Sequence, residues 1–344
     1  MADILLPPWL NMERVAIKYI DSTGVSVGPY TGIKKTASWA GDRLSIALEF
    51  TMTGGASTAL KMQQAALIGF LVSLRGKQNR AYLYNPSSQR RGSFPSTELL
   101  TNPTFEAGTG WTSSNANLVL SFDDRIMRGT RAGVAADYQI RASSVTVTSG
   151  AAYAARLMAY ARKGAMDYRL QLGTTAGGTE ISATSADITS GGMQLLAGTA
   201  SGTTMHFSIL DGISGSRAIG DFQDFQYASL TRCILVNGAS QTGSALNVDA
   251  LPLSSAGLLL PGDTFEVITS RGSELKICTA PLNSNSSGQG TVYFEPPLRG
   301  SVADNAAVVV EQPMSRCIFV GDLPQWTNEP GIFTTCSADF EETA

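Results

Sequence analysis

The stretch ALKMQQAALIGFLVSLRGK, Ala59 to Lys77, limits the possible folds more than any other in the chain. Leu60, Leu67, Leu71 and Leu74 recur at spacings of seven, four and three, and Ile68 and Phe70 widen the stripe. That period predicts an amphipathic helix. Ser57 or Thr58 can cap its start, and Gly76 ends it. A strand precedes it, since Leu44, Ile46, Leu48 and Phe50 alternate through LSIALEF, and a short aromatic strand, RAYLY at Arg80–Tyr84, follows before Asn85 and Pro86. One helix and two strands cannot bury their own apolar faces. The unit therefore needs partners from later in the chain.

Those partners do not come next. After the loop SSQRRGSFPS, the chain from Asn102 to Leu230 runs through segments such as SSVTVTSGAAYAARLMAYARK, MDYRLQL and TMHFSIL, ending in FQDFQYASL. Each reads as short strands with turns between them. The texture then changes to LPLSSAGLLLPGDTFEVI, ELKICTAPL and TVYFEPPL, with the Pro/Gly punctuation of a small barrel. Ser315 to Glu342 supplies IFVG and the alternating IFTTCSADFEE. No repeat of fixed period appears. At 344 residues the chain has room for two or three cores.

The expected fold class is mainly β. A discontinuous β-sandwich or barrel carries the one amphipathic helix, beside a small β-barrel portion and an inserted jelly-roll β-sandwich. The expected boundaries are 1–95 for the first part of the core domain, 96–230 for the insert, 231–312 for the barrel-like part and 313–344 for the closing strands. The Gln89 to Thr97 loop fits either side of the first boundary. Insertion there is physically reasonable, because surface loops tolerate it and the ends of a compact module lie close together.

Composition removes several function classes. Charged residues make up 15% against 43% hydrophobic, with 35 glycines, as in a turn-rich globular protein. A net charge of −3 gives no footprint for nucleic acid or an anionic membrane surface. No apolar run approaches the roughly 20 residues that cross a bilayer. MADILLPPWLNMERVAI also lacks a basic region followed by a long apolar stretch, so the chain is expected to stay where it is made or leave by lysis. Cys233, Cys278, Cys317 and Cys336 form no C-x-x-C pair, which argues against zinc. Buried thiols are the expectation, with a disulfide pair left open.

No enzyme is expected. The single histidine, His206 in TMHFSIL, has no serine or cysteine motif beside it, and G-x-S-x-G, P-loop and H-E-x-x-H motifs are absent. Asp123, Asp124, Glu295 and Glu329 could serve a glycosidase by residue type alone, but most carboxylates in a protein of this size are simply solvated.

Two resemblances add to this reading. The middle segment, with Asn102-Pro103-Thr104-Phe105-Glu106, Gly110-Trp111, Val145 to Gly150, Tyr153 and Asp224, resembles the jelly-roll carbohydrate-binding modules found beside glycoside hydrolases. The resemblance implies core roles for Phe105 and Trp111. It makes Glu106 and Asp224 candidate ligands of a structural calcium ion, although Phe225 stands where the family's closing pair has a second aspartate. Sugar binding would need aromatic faces, and Tyr138, Tyr160 and Tyr168 are the candidates.

The flanks, roughly 37–95 and 231–344, resemble the distal tail proteins of long-tailed bacteriophages. The features are LSIALEF, the helix ending in Leu-Arg-Gly and running into RAYLYNP, then LLLPGDTFEVI and VYFEPPLRGSVADNAAVVVEQPM. This resemblance implies a homohexameric ring at the tail tip, assembled in the host cytoplasm. Tail tube protein would bind one face and tail-tip hub protein the other, with tape measure protein inside. The insert would face outward toward host surface polysaccharide. A stand-alone carbohydrate-binding or glycan-degrading protein is the alternative.

Overall fold

A computed structural model describes residues 3–22, 24–27, 34–37, 41–53, 58–84, 90–133, 138–163, 168–184, 191–211, 218–321, 325–329 and 333–343. The protein is mainly β, with one helix among the described residues. No helix among them is long and apolar enough to cross a membrane.

The helix α1 (Thr58–Leu74) turns Leu67, Phe70, Leu71 and Leu74 into a buried cluster with Leu44, Ile46, Leu48 and Phe50 of the strand before it. It stops where Arg75 and Gly76 both take positive φ, and the Asn79 amide closes back onto the Leu74 carbonyl at 3.1 Å. Ser57 lies outside the described residues.

The partners that α1 needs come from the far end of the chain. Asp3–Leu5, Arg80–Tyr84, Met314–Phe319, Phe333–Glu342, Arg43–Thr53 and Arg14–Ile20 lie side by side in one sheet, with Gln325–Glu329 paired to Phe333–Glu342. Phe333–Glu342 runs antiparallel to Arg43–Thr53, from Phe333 opposite Thr53 to Glu341 opposite Ser45. Cys317, Phe319, Cys336 and Phe340 complete the cluster under α1. A separate hairpin pairs Gly24–Val27 with Lys34–Ala37.

Between the two halves of that sheet the chain forms a sandwich and a barrel. The sandwich faces a five-stranded sheet (Gly192–Thr199, Ala152–Lys163, Phe222–Arg232, Ile126–Arg131, Leu118–Asp123) against one built on Tyr168–Gly173, Thr204–Asp211, Gln139–Ala142 and Trp111–Ser113. Alternation sends Leu157, Met127 and Phe225 from one sheet toward Leu170, Phe207 and Ile140 of the other. Its ends are stapled together: the Leu99 amide donates to the Leu230 carbonyl, and Glu98 bridges to Thr231. The barrel closes from Ile234–Val236, Gln241–Asp249, Gly290–Val302, Gly272–Cys278, Thr264–Thr269 and Ala307–Val309 around Phe265, Phe294 and Val267.

The loop that fitted either side of the first boundary belongs, over its described part, with the barrel. Phe94 is fully buried in the barrel's core. The amides of Arg91 and Gly92 both donate to the Asp263 carboxylate, and those of Ser93 and Phe94 donate to the carbonyls of Gly257 and Leu258. The Pro-Gly-Asp turn is thus a dock for the chain on its way from core to insert.

Candidate functional site

The opening motif of the insert is a structural turn. Asn102 takes positive φ, its side-chain oxygen accepts from the Glu106 amide at 2.7 Å, and its carbonyl accepts from the Trp111 indole at 3.2 Å. Phe105 and Trp111 meet edge-on inside the sandwich with ring centroids 5.2 Å apart.

The aromatic candidates need correction. Tyr138 is wholly buried, with the Arg131 guanidinium 4.8 Å from its ring centre, and Tyr168 packs edge-on against Phe225. Strand alternation sends Tyr168 inward with Leu170 and Leu172, so neither ring offers a face for a sugar to stack on. The Tyr160 side chain lies outside the described residues.

The calcium candidates also fail the fit. Asp224 is gripped by Arg128, whose Nε and Nη2 donate to its two oxygens at 2.6 and 2.7 Å, while Glu106 pairs with Arg125. Calcium takes about six to eight oxygen ligands. Here each carboxylate already has its own guanidinium. Among the described residues no group of three or more His, Cys, Asp or Glu side chains is placed to hold a metal.

The acids considered for hydrolysis are spread across modules. Asp123 and Asp124 stand exposed at a hairpin end of the insert, and Glu295, on the barrel wall, accepts from the Ser244 hydroxyl at 3.1 Å. Glu329's side chain lies outside the described residues. His206 is half-buried on its strand opposite Gly173. All four cysteines are buried free thiols, and burial pushes Cys233 up to about 12 and Cys336 up to about 11.

The unusual chemistry lies at the junctions between modules. Arg156, on the outer face of the insert's five-stranded sheet, is fully buried. It donates to Glu266 of the barrel at 3.3 Å, to the carbonyls of Glu311 and Gln312 at 3.1 and 2.9 Å, and to the hydroxyls of Tyr227 and Ser229. Glu266 in turn accepts from the Ser273 hydroxyl and from the amide of Met314, the first residue of the returning core strand. Burial opposes the Arg156 charge, but Tyr227, Glu266, Glu98 and Glu311 outweigh it and hold the guanidinium protonated. One cation thereby ties insert, barrel and core together.

A second cluster joins barrel to core. Lys276 lies 2.8 Å from Glu274, which also accepts from the Thr269 hydroxyl and the Arg299 amide. Arg299 reaches Glu342 at 3.5 Å, and Glu342 accepts from the Leu44 and Leu275 amides and the Ser315 hydroxyl. Apolar contacts run alongside. Met158 and Tyr227 of the insert join the cluster under α1, while Ala152 and Ala154 pack on Leu235 and Val309 of the barrel.

Sequence reasoning passed over these charges. A signal was present, since Arg156 interrupts the small and apolar run AAYAARLMAY, and Glu266, Glu274 and Lys276 interrupt TFEVI and ELKIC.

A cavity of about 440 Å³ opens between the N-terminal segment, α1 and the insert. Trp9 and Phe70 line it, and Arg125, from a two-residue hairpin turn with positive φ at Asp124 and Arg125, stacks 4.8 Å from the Trp9 ring centre.

No protein-family model and no curated protein matches the chain. Among solved structures it is similar to the adhesin domain of Epf from Streptococcus pyogenes, at 9% identity and a TM-score of 0.30, over 78% of this chain and 94% of that one. A likeness of that size assigns neither fold nor role.

Proposed function

We propose that this chain is a structural protein of a long phage tail, forming a ring at the distal end that joins the tail tube to the tail-tip hub. The observation that carries the reading is a core sheet built from both ends of the chain, with residues 85–313 leaving and returning between them. Such a core holds its inserted modules between two covalent connections, one where the chain leaves and one where it returns, and the buried Arg156 network fixes their orientation. A load-transmitting adaptor needs that rigidity. The insert then belongs to the outer wall of the ring. Any contact it makes with host polysaccharide uses groups other than Tyr138 and Tyr168, with weak contacts multiplied by ring symmetry.

Tail tube, hub and tape measure proteins are the partners this reading requires, and the virion tail tip is its location. Antibody raised against the chain should decorate the distal tips of long tails in a lysate where the chain is expressed. Label on capsids, or on no particle at all, would overturn the proposal. Glycan arrays probed with the ring address the adhesive half separately: no hit at high multivalency removes it and leaves the structural role.

A further inference from the structure

The cavity beside α1 has the chemistry of a socket. Trp9 and Phe70 give it aromatic walls, and its volume of about 440 Å³ falls within the roughly 300–1,000 Å³ range of sites that seat an organic group. Gly69 opens the helix backbone to it, since a Cβ there would meet nothing within 4 Å. Several polar groups of the lining, the exposed Asp124 carboxylate among them, have no partner among the described residues, and two bear on an occupant. The Gln226 side-chain oxygen is buried and accepts no hydrogen bond among the described residues. Lys61 is exposed and makes no ion pair among the described residues. A buried acceptor without a donor is unfavourable, and an occupant that supplies a donor would relieve it. The lining therefore asks for an aromatic body, a donor at its tip and an anion nearby.

The chain carries that group on its own surface. Tyr293, on the outer wall of the barrel, is 50% exposed, and its hydroxyl has no partner among the described residues. Ala245 lies opposite it across the strand pair, so no large neighbour covers the ring. Glu295, two residues on, shares its face at about 7 Å along the strand, with only the Ser244 hydroxyl donating to it among the described residues. The other exposed aromatics fit less well: Tyr19 already donates its hydroxyl to Asp42 at 2.6 Å, and Trp326 is followed by Thr327 and paired with Cys336.

We infer that Tyr293 of one copy inserts into the α1 cavity of the next, with its hydroxyl donating to Gln226 and Glu295 facing Lys61. Knob and socket are different patches of one chain, so the contact is heterologous, and it closes into a ring or continues as a filament according to the rotation between copies. The inference deepens the ring reading, which left its two contact patches unnamed, and rests on that reading for closure alone.

The test is native mass against concentration for the full chain and its variants. Tyr293→Ala removes the knob from a half-exposed site. Gly69→Trp fills the socket from a helix position with open space beside it, and Gly69→Ala is the control that keeps the fold and leaves the mouth open. Each of the first two should weaken self-association at least about tenfold. Mixed together they should give dimers and nothing larger, because one intact knob meets one intact socket. Lys61→Glu and Glu295→Lys should each weaken association, and the chain carrying both should regain it. Rings that survive Tyr293→Ala and Gly69→Trp unchanged overturn this contact while the ring reading stands. A wild-type chain that is monomeric at every concentration overturns the contact and removes support from the ring reading as well.

Discussion

Arg156 keeps its charge where no water reaches it, and that makes it the residue with the largest expected effect on stability. Breaking a buried pair leaves the partner charge stranded, at a cost of about 3–5 kcal/mol. Arg156→Ala should lose stability on that scale in chemical denaturation, and Arg156→Met combined with Glu266→Gln should lose clearly less; equal losses would show that packing, not charge, holds the junction. Glu274 makes a pH-dependent contribution. Burial alone would raise its carboxyl, but Lys276, the Thr269 hydroxyl and the Arg299 amide outweigh burial and hold it below its ordinary 4.5. The native state then keeps this carboxylate ionised at a pH where the unfolded chain has protonated it. The stability it gives is present above about 4.5 and is lost as pH falls through the lower folded value. Melting curves of wild type and Glu274→Gln should converge as the pH is lowered; parallel curves would contradict this. The sequence marks both residues as charges interrupting apolar runs, but a lone charge in an apolar strand does not say which segment supplies its partner.

Local periodicity made the individual elements legible. Leu67, Leu71 and Leu74 gave α1, and the alternation of Leu44 to Phe50 gave its strand, since both patterns are set by neighbours within a few residues. The docking of residues 91–94 was not legible, because the Asp263 carboxylate that receives the Arg91 and Gly92 amides comes more than 170 positions later in the chain, and the Gly257 and Leu258 carbonyls that receive the next two are nearly as remote. Two predictions belong here. Asp263→Ala strips the partner from the Arg91, Gly92 and Leu260 amides and should cost about 1–3 kcal/mol. Gly92→Ala should lift the linker from the barrel, since its Cβ would lie 2.2 Å from the Leu258 carbonyl oxygen. Limited proteolysis near Gln89 to Thr97 checks both: faster cleavage than wild type is expected, and cleavage at the wild-type rate would mean the dock does not hold the chain.

At the scale of the whole molecule, the three modules share buried surface as well as chain connections. The outer face of the insert's five-stranded sheet covers Leu235 and Val309 of the barrel and reaches the cluster under α1 through Met158 and Tyr227. Excising residues 98–231 should therefore lower the melting temperature and expose surface that binds an apolar dye. An excised chain that melts like the full one would mean that the insert is merely tethered. The sequence pointed to discontinuity, since the first helix lacked partners, but it misassigned Tyr138 and Tyr168, because alternation alone does not say which face of a strand looks inward. The central claim is that this divided, rigid architecture assembles into a ring. Native mass of the purified protein over a range of concentrations, with negative-stain images of the same fractions, tests it most directly. Closed rings with a central opening and outward knobs are expected, and monomers at every concentration, with or without tail tube as a template, would contradict it.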